Sequence, residues 1–233
     1  MLSMNHSASR HAQRGVSLVE LMVGVTVGLF VVAAAAMLVG SQLSDNRRLL
    51  LETQLQQDLR SSADIITREL RRAGYWNQSD RGVWMPTQAP QHNTFAAVTL
   101  PVATEVDYSY HRGPGQQGPY GFRLDVGTGS IKTQLAAAGW QDLTDPRTLR
   151  ITALNITPNF ATPIVLPCPK TCPGPGGPQD CWPRLVVRSF TVAITGQAVH
   201  DAAIQRTLQT TVRLRNDHVR FNDPLNPTQY CPA

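Results

Sequence analysis

The sequence predicts an α+β protein, in which one long N-terminal α-helix, transmembrane over its first half, packs through its second half on an antiparallel β-sheet head. Three observations carry that expectation. From Val16 to Gly40 only Ser17, Glu20 and Thr26 bear polar side chains. From Leu51 to Ala73 apolar residues recur every three or four positions, the spacing of one helix face. Beyond Gly74 the period shortens to two, and 16 of the 17 prolines lie beyond residue 89, so no second long helix is expected there.

The chain has 233 residues, enough for one sizeable domain and an appendage. Its 42% hydrophobic content is that of an ordinary soluble protein, but the average conceals the uneven distribution just described. The formal charge of +5 is carried almost wholly by arginine, Lys132 and Lys170 being the lysines. These arginines are scattered among acids. A surface that tracks phosphates needs a clustered patch, so direct nucleic-acid binding is not expected.

The opening residues contain Arg10 and Arg14 and no acid, and the apolar run follows at once. About 24 such residues suffice to cross the hydrocarbon core as a helix. Basic residues ahead of the run favour a cytoplasmic N-terminus, although Arg47 and Arg48 on the far side blunt that rule. A secretory signal has a shorter apolar region with small residues at its end. Here Ala33 to Ala36 sit inside the run. Glu20 is the anomaly. A carboxylate in an apolar segment costs about 2.5–3.5 kcal/mol by insertion scales and usually has a partner and a role. The local alternative is that it snorkels to headgroups near the helix start, where negative charge is favoured. Gly24 and Gly28 form a small-xxx-small pair that lets helices approach closely, or reflect membrane-helix composition alone.

Arg14-Gly15-Val16-Ser17-Leu18-Val19-Glu20-Leu21-Met22 resembles the type IV prepilin motif, a basic leader ending in glycine with glutamate five positions into the mature chain. The resemblance implies cleavage by a prepilin peptidase between Gly15 and Val16, followed by N-methylation of Val16. It implies that Glu20 serves subunit assembly by pairing with the freed amine of a neighbour. Such pairing would supply the partner that a buried carboxylate requires. The family usually has phenylalanine at the first mature position, and Val16 departs from it. Loss of the leader would remove two arginines and leave 19 basic against 16 acidic groups.

The helix is expected from about Ser17 to Ala73, with the stripe Leu51, Leu55, Leu59, Ala63, Ile66, Leu70 and Ala73, a favourable Asp64–Arg68 pair, and Gly74 as its stop. Expected strands are Phe95–Leu100, Glu105–Tyr110, Tyr120–Val126, Ser130–Leu135, Leu149–Ile156, Leu185–Thr195 and Ile204–Arg215. In the last, Leu208, Thr210, Val212 and Leu214 alternate with Gln209, Thr211, Arg213 and Arg215, as in a strand with one wet face. Residues Pro158 to Pro183 hold eight prolines and three cysteines and are expected to form an irregular loop.

Cys168, Cys172 and Cys181 contain no CxxC pair and no nearby histidine, and Cys231 is fifty residues further on, which speaks against zinc. The resemblance places the head in the oxidising periplasm, where these four cysteines would form two disulfides. Three connectivities are open; a bridge that pins the tail through Cys231 is the expected one. No metal or cofactor is expected. Ser189, His200 and Asp201 make a triad on paper but lack a nucleophile elbow, so no enzyme is expected. Tyr108, Tyr110, His111 and Arg112 suit a glycan or partner, or a plain sheet surface. Asp142, Asp145 and Asp180 do not match an EF-hand.

The implied organisation is a leader over 1–15, a transmembrane and filament-core helix over 16–40, its amphipathic continuation over 41–74, and a periplasmic head over 75–233 with the Pro/Cys-rich loop 158–183. ELRRAGYW at the helix exit and the GWQDLTDP turn (Gly139 to Pro146) are similar to what the PilW family of minor pilins carries. That resemblance implies a part in starting type IV pilus assembly, a tip position, and support for adhesion, twitching motility or DNA uptake. Implied partners are the prepilin peptidase, other minor pilins, the major pilin and the inner-membrane assembly platform. The alternatives are a J-type pseudopilin of a type II secretion system and a membrane-tethered periplasmic binding protein or adhesin.

Overall fold

A computed structural model describes residues 15–82, 91–168, 172, 177, 179 and 182–220. The chain divides into two compact units, Met1–Leu49 and Leu50–Ala233. One helix, α1, runs over Leu18–Arg72. It contains no proline to interrupt its ladder. It starts where the Ser17 carbonyl accepts the Leu21 N–H (3.0 Å). It stops at Gly74, whose φ of +76° is the left-handed conformation that glycine adopts at little cost. Helix-end carbonyls need donors. The Asn216 amide donates to the Ala73 carbonyl (3.2 Å) and the Asn93 amide to that of Gly74 (2.7 Å).

In the second unit the helix buries Leu55, Leu59, Ala63, Ile66, Leu70 and Ala73, the stripe expected from the sequence, with Leu51 partly buried. The ion pair near the helix end is Arg72–Glu69 (3.0 Å), in place of the expected Asp64–Arg68. A second pair, Arg206–Glu52 (2.7 Å), ties the helix to the sheet layer.

Eleven antiparallel strands follow among the described residues: β1 (Val98–Thr99), β2 (Glu105–Tyr108), β3 (Tyr120–Asp125), β4 (Ser130–Leu135), β5 (Trp140–Asp142), β6 (Leu149–Phe160), β7 (Ile164–Val165), β8 (Arg184–Val186), β9 (Arg188–Ala198), β10 (Asp201–Arg213) and β11 (His218–Arg220). They form three sheets, ordered β1-β2-β3-β4-β5, β10-β9-β6 and β11-β8-β7. The single sheet expected from the sequence is thereby corrected. The run read as one strand from Leu185 to Thr195 breaks at Val187, because β8 and β9 pair in different sheets. The GWQDLTDP segment, read as a turn, contributes β5, and the Trp140 ring lies under the Arg123 guanidinium at 4.2 Å. The loop expected from Pro158 begins later. Strand β6 carries Pro158 opposite Phe190 and ends at Phe160, and β7 lies within the proline-rich stretch. β6 is an edge strand, the position where a proline's missing donor costs least.

The core is set by period-two burial. Along β9 every second residue from Arg188 to Ala198 is buried. Phe190, Val192 and Ile194 join Phe122, Ile131, Leu154, Ile204 and Val212 against the helix stripe. The close approach of helix and sheet requires glycine at 196, where a Cβ would lie 2.7 Å from Leu149 and 3.2 Å from Leu59. The outer face of β9 carries hydroxyls instead, with Thr195 and Thr207 at 2.9 Å and Thr191 and Thr211 at 3.3 Å across the β9–β10 register.

The β3–β4 turn is held by Asp125. Its carboxylate accepts the N–H groups of Gly127 (3.0 Å) and Thr128 (3.3 Å) and pairs with Lys132 (2.7 Å). The Lys132 ammonium first, and then these N–H groups, hold the Asp125 carboxyl down at about 2. A carboxyl depressed in the folded state from the usual value of about 3.9 stabilises the fold above that value. The contribution is lost as pH falls through about 2. An NMR titration of the full chain should show this midpoint, and it should rise toward the ordinary value in Lys132→Gln.

Candidate functional site

Every described residue from Gly15 to Leu50 is exposed. The surface is made of large apolar side chains such as Leu18 (75% exposed), Phe30 (79%) and Met37 (76%). In water each forfeits about 1.5–3 kcal/mol relative to burial, so this surface calls for lipid or protein around it. The helix is long and apolar enough to cross a membrane. Its polar groups are managed accordingly. The Thr26 hydroxyl lies within hydrogen-bonding reach of the carbonyls of Met22 (3.0 Å) and Val23 (2.9 Å), so it needs no water. Gly15, Val16 and Ser17 precede the helix without regular secondary structure, and Glu20 stands in its first turn. The carboxylate is thus on the exposed apolar surface, at the end where the helix dipole tolerates negative charge. Beyond the helix's own neighbouring backbone nothing lies within 4 Å of where a Cβ would stand at Gly24 or Gly28, and the helix surface is open at both.

The head does not assemble the paper triad. Ser189 lies at one end of β9 and donates its hydroxyl to the Asn159 carbonyl (2.6 Å). Asp201 pairs with Ala198 at the other end and accepts the Ala203 N–H (3.0 Å). Nine residues of strand, about 30 Å, separate them. Among the described residues no three His, Cys, Asp or Glu side chains cluster as metal ligands. Asp142 accepts the Ser130 hydroxyl (2.9 Å) and Asp145 pairs with Arg147 (3.1 Å); Asp180 lies outside the described residues. Cys168 and Cys172 are disulfide-bonded, while Cys181 and Cys231 lie outside the described residues.

The tyrosines read as sheet surface are core. Tyr108 and Tyr110 are each 4% exposed and stack on each other, and Tyr110 also stacks on Tyr120, with ring centroids 4.6 Å apart. Burial raises the Tyr108 hydroxyl well above its ordinary value. The Tyr110 hydroxyl is raised by burial and then by its hydrogen bond to Glu69 (2.9 Å), whose other oxygen holds Arg72.

Sequence reasoning missed Arg188. It is 5% exposed, and its guanidinium donates to the carbonyls of Ala96 and Asn216, joining two loops to β9. Burial lowers its pKa, an effect the nearby Asp217 opposes. The signal was present: Arg188 shares the inward register with Phe190, Val192 and Ile194.

Residues 48–214 match the family described as prepilin peptidase-dependent protein B. Residues 10–36 match the prokaryotic N-terminal methylation motif. No curated protein and no solved structure matches the chain. The first match spans well over half of the sequence and covers most of the described head, while the second covers the apolar start of α1. The protein is therefore type IV pilin-like and belongs to the prepilin peptidase-dependent protein B family.

Proposed function

We propose that this protein is a minor pilin of a type IV pilus, similar to the PilW family, acting in the initiation of pilus assembly and placed near the tip. The observation that carries the reading is Glu20 in the first turn of an exposed apolar helix, five positions into a mature chain that would begin at Val16. In this proposal residues 1–15 are the leader, which a prepilin peptidase removes between Gly15 and Val16 before the Val16 amine is methylated. The helix over 16–40 holds the chain in the inner membrane with its head in the periplasm, and then enters the filament core. The exposed face around Gly24 and Gly28 admits a neighbouring helix. Glu20 is neutralised by the N-terminal amine of an adjacent subunit. The four cysteines, Cys181 and Cys231 included, form two bridges that constrain the proline-rich loop and the tail.

Co-expression of the full chain with a prepilin peptidase, followed by intact-mass measurement, tests the first step. The expected product lacks residues 1–15 and carries one added methyl group. A mature protein beginning at Met1 would refute the reading. The same architecture serves J-type pseudopilins, and gene deletion separates the two: loss of surface pili with secretion intact supports the pilus assignment.

A further inference from the structure

We propose that the head carries a carboxylate-binding cleft, built from Arg72, Arg112 and Arg215 and walled by Tyr75, Tyr110 and His111, that receives an acidic segment of another protein chain. The cleft encloses about 300 Å³ at the exit of α1. Three separate stretches of chain meet there and are stitched through their backbones. The Arg215 N–H donates to the Arg71 carbonyl (3.0 Å), the His111 N–H to the Tyr75 carbonyl (2.8 Å) and the Gly74 N–H to the Ser109 carbonyl (2.9 Å), while the Arg112 N–H closes its own turn on the Gln116 carbonyl (3.0 Å). The three arginines that line the cleft are therefore carried on a backbone frame fixed by hydrogen bonds, which lowers the ordering cost of binding.

Of the three, Arg72 is paired with Glu69, and Arg112 and Arg215 carry the charge that is not balanced within the cleft. No acid among the described residues lines the cleft, and both oxygens of Glu69 are taken, one by Arg72 (3.0 Å) and one by the Tyr110 hydroxyl (2.9 Å). Among the described residues the side chains of Arg112 and Arg215 have no hydrogen-bond or ion-pair partner, although both line the same cleft. Arg147, Arg206 and Arg213 pair with Asp145, Glu52 and Asp217; Arg81, Arg150, Arg184 and Arg220 have no ion pair among the described residues either, but none of them lines this cleft. An entering carboxylate supplies the counter-charge that Arg112 and Arg215 lack while accepting forked hydrogen bonds. The volume is at the lower end for small-molecule pockets and suits an acidic side chain with its flanking residues. Arginine and tyrosine are also the residues that most often anchor protein–protein contacts. Tyr75 is 48% exposed and offers such an anchor beside the charges.

The site does not depend on processing at Gly15, and its test reads binding rather than assembly. Hexaglutamate is titrated by calorimetry into the full-length protein in neutral detergent, with hexaglutamine and a galacturonate trimer as comparison ligands. Saturable binding of hexaglutamate is expected, weakened at least about tenfold in Arg112→Gln/Arg215→Gln. Arg147→Gln, whose partner lies elsewhere, should bind as the parent does. Both substituted arginines are exposed, and an unchanged thermal midpoint confirms that the fold is intact. Equal weakening by Arg147→Gln, binding of the galacturonate trimer in preference to the peptide, or no saturable binding would overturn the proposal.

Discussion

Replacing Glu20 with alanine should leave the protein in the membrane and cut its incorporation into sheared pilus fibres by about a hundredfold or more. The two halves of that outcome have separate causes. Removing a carboxylate from an apolar helix eases insertion, since the charged form costs about 2.5–3.5 kcal/mol there. In the proposed filament, removing it would leave the neighbouring amine without its counter-charge, and breaking a buried pair costs about 3–5 kcal/mol. Glu20 is the acid of the first turn, and it stands among Leu18, Val19, Leu21 and Met22, all more than half exposed. Glu20→Gln keeps the shape and loses the charge, so it should behave like alanine; Glu20→Asp should retain part of the activity. Quantitative blotting of membrane and fibre fractions reads both quantities. Unchanged fibre incorporation in Glu20→Ala would remove the basis of the assembly proposal.

Phe190→Ala should destabilise the head by about 3–5 kcal/mol, the usual cost of deleting a buried phenyl ring. For a domain of this size that corresponds to a fall of about 6–20 °C in the thermal midpoint. Phe190 is fully buried in the middle strand of its sheet, between Val212 on β10 and Pro158 on β6. Its ring meets Phe160 edge-on at 5.7 Å. With α1 occupying one side of the core, the cavity cannot collapse without moving either helix or sheet. Gln209→Ala, on the exposed face of β10, should change stability by no more than about 0.5 kcal/mol. Circular dichroism melts of the full chain in detergent compare the two. A midpoint for Phe190→Ala within two degrees or so of the parent would show that β9 is not the centre of the core.

The helix was legible almost to the residue, because its signals are local. The stripe from Leu55 to Ala73 states which face is buried, and Gly74 states where the helix ends. Strand β10 was legible for the same reason, since its alternation is a property of consecutive residues; β3 and β4 were also expected within a residue of their observed bounds. The short strands β5, β7 and β11 were not. Each has two or three residues and owes its existence to a partner strand rather than to its own pattern.

At the candidate sites the division follows the same line. Gly15, Val16 and Glu20 are recognised by spacing along the chain, and their reading came from sequence alone. The burial of Tyr108 and Tyr110, the clamp of Arg188 on Ala96 and Asn216, and the gathering of Arg72, Arg112 and Arg215 came from tertiary structure. The physical reason is range. A helix or strand pattern is decided by neighbours within about four positions. The partners of a buried charge or ring are instead decided by which distant segments the chain brings together: the Tyr110 hydroxyl meets Glu69 across 41 residues, and the Arg188 guanidinium meets Ala96 across 92.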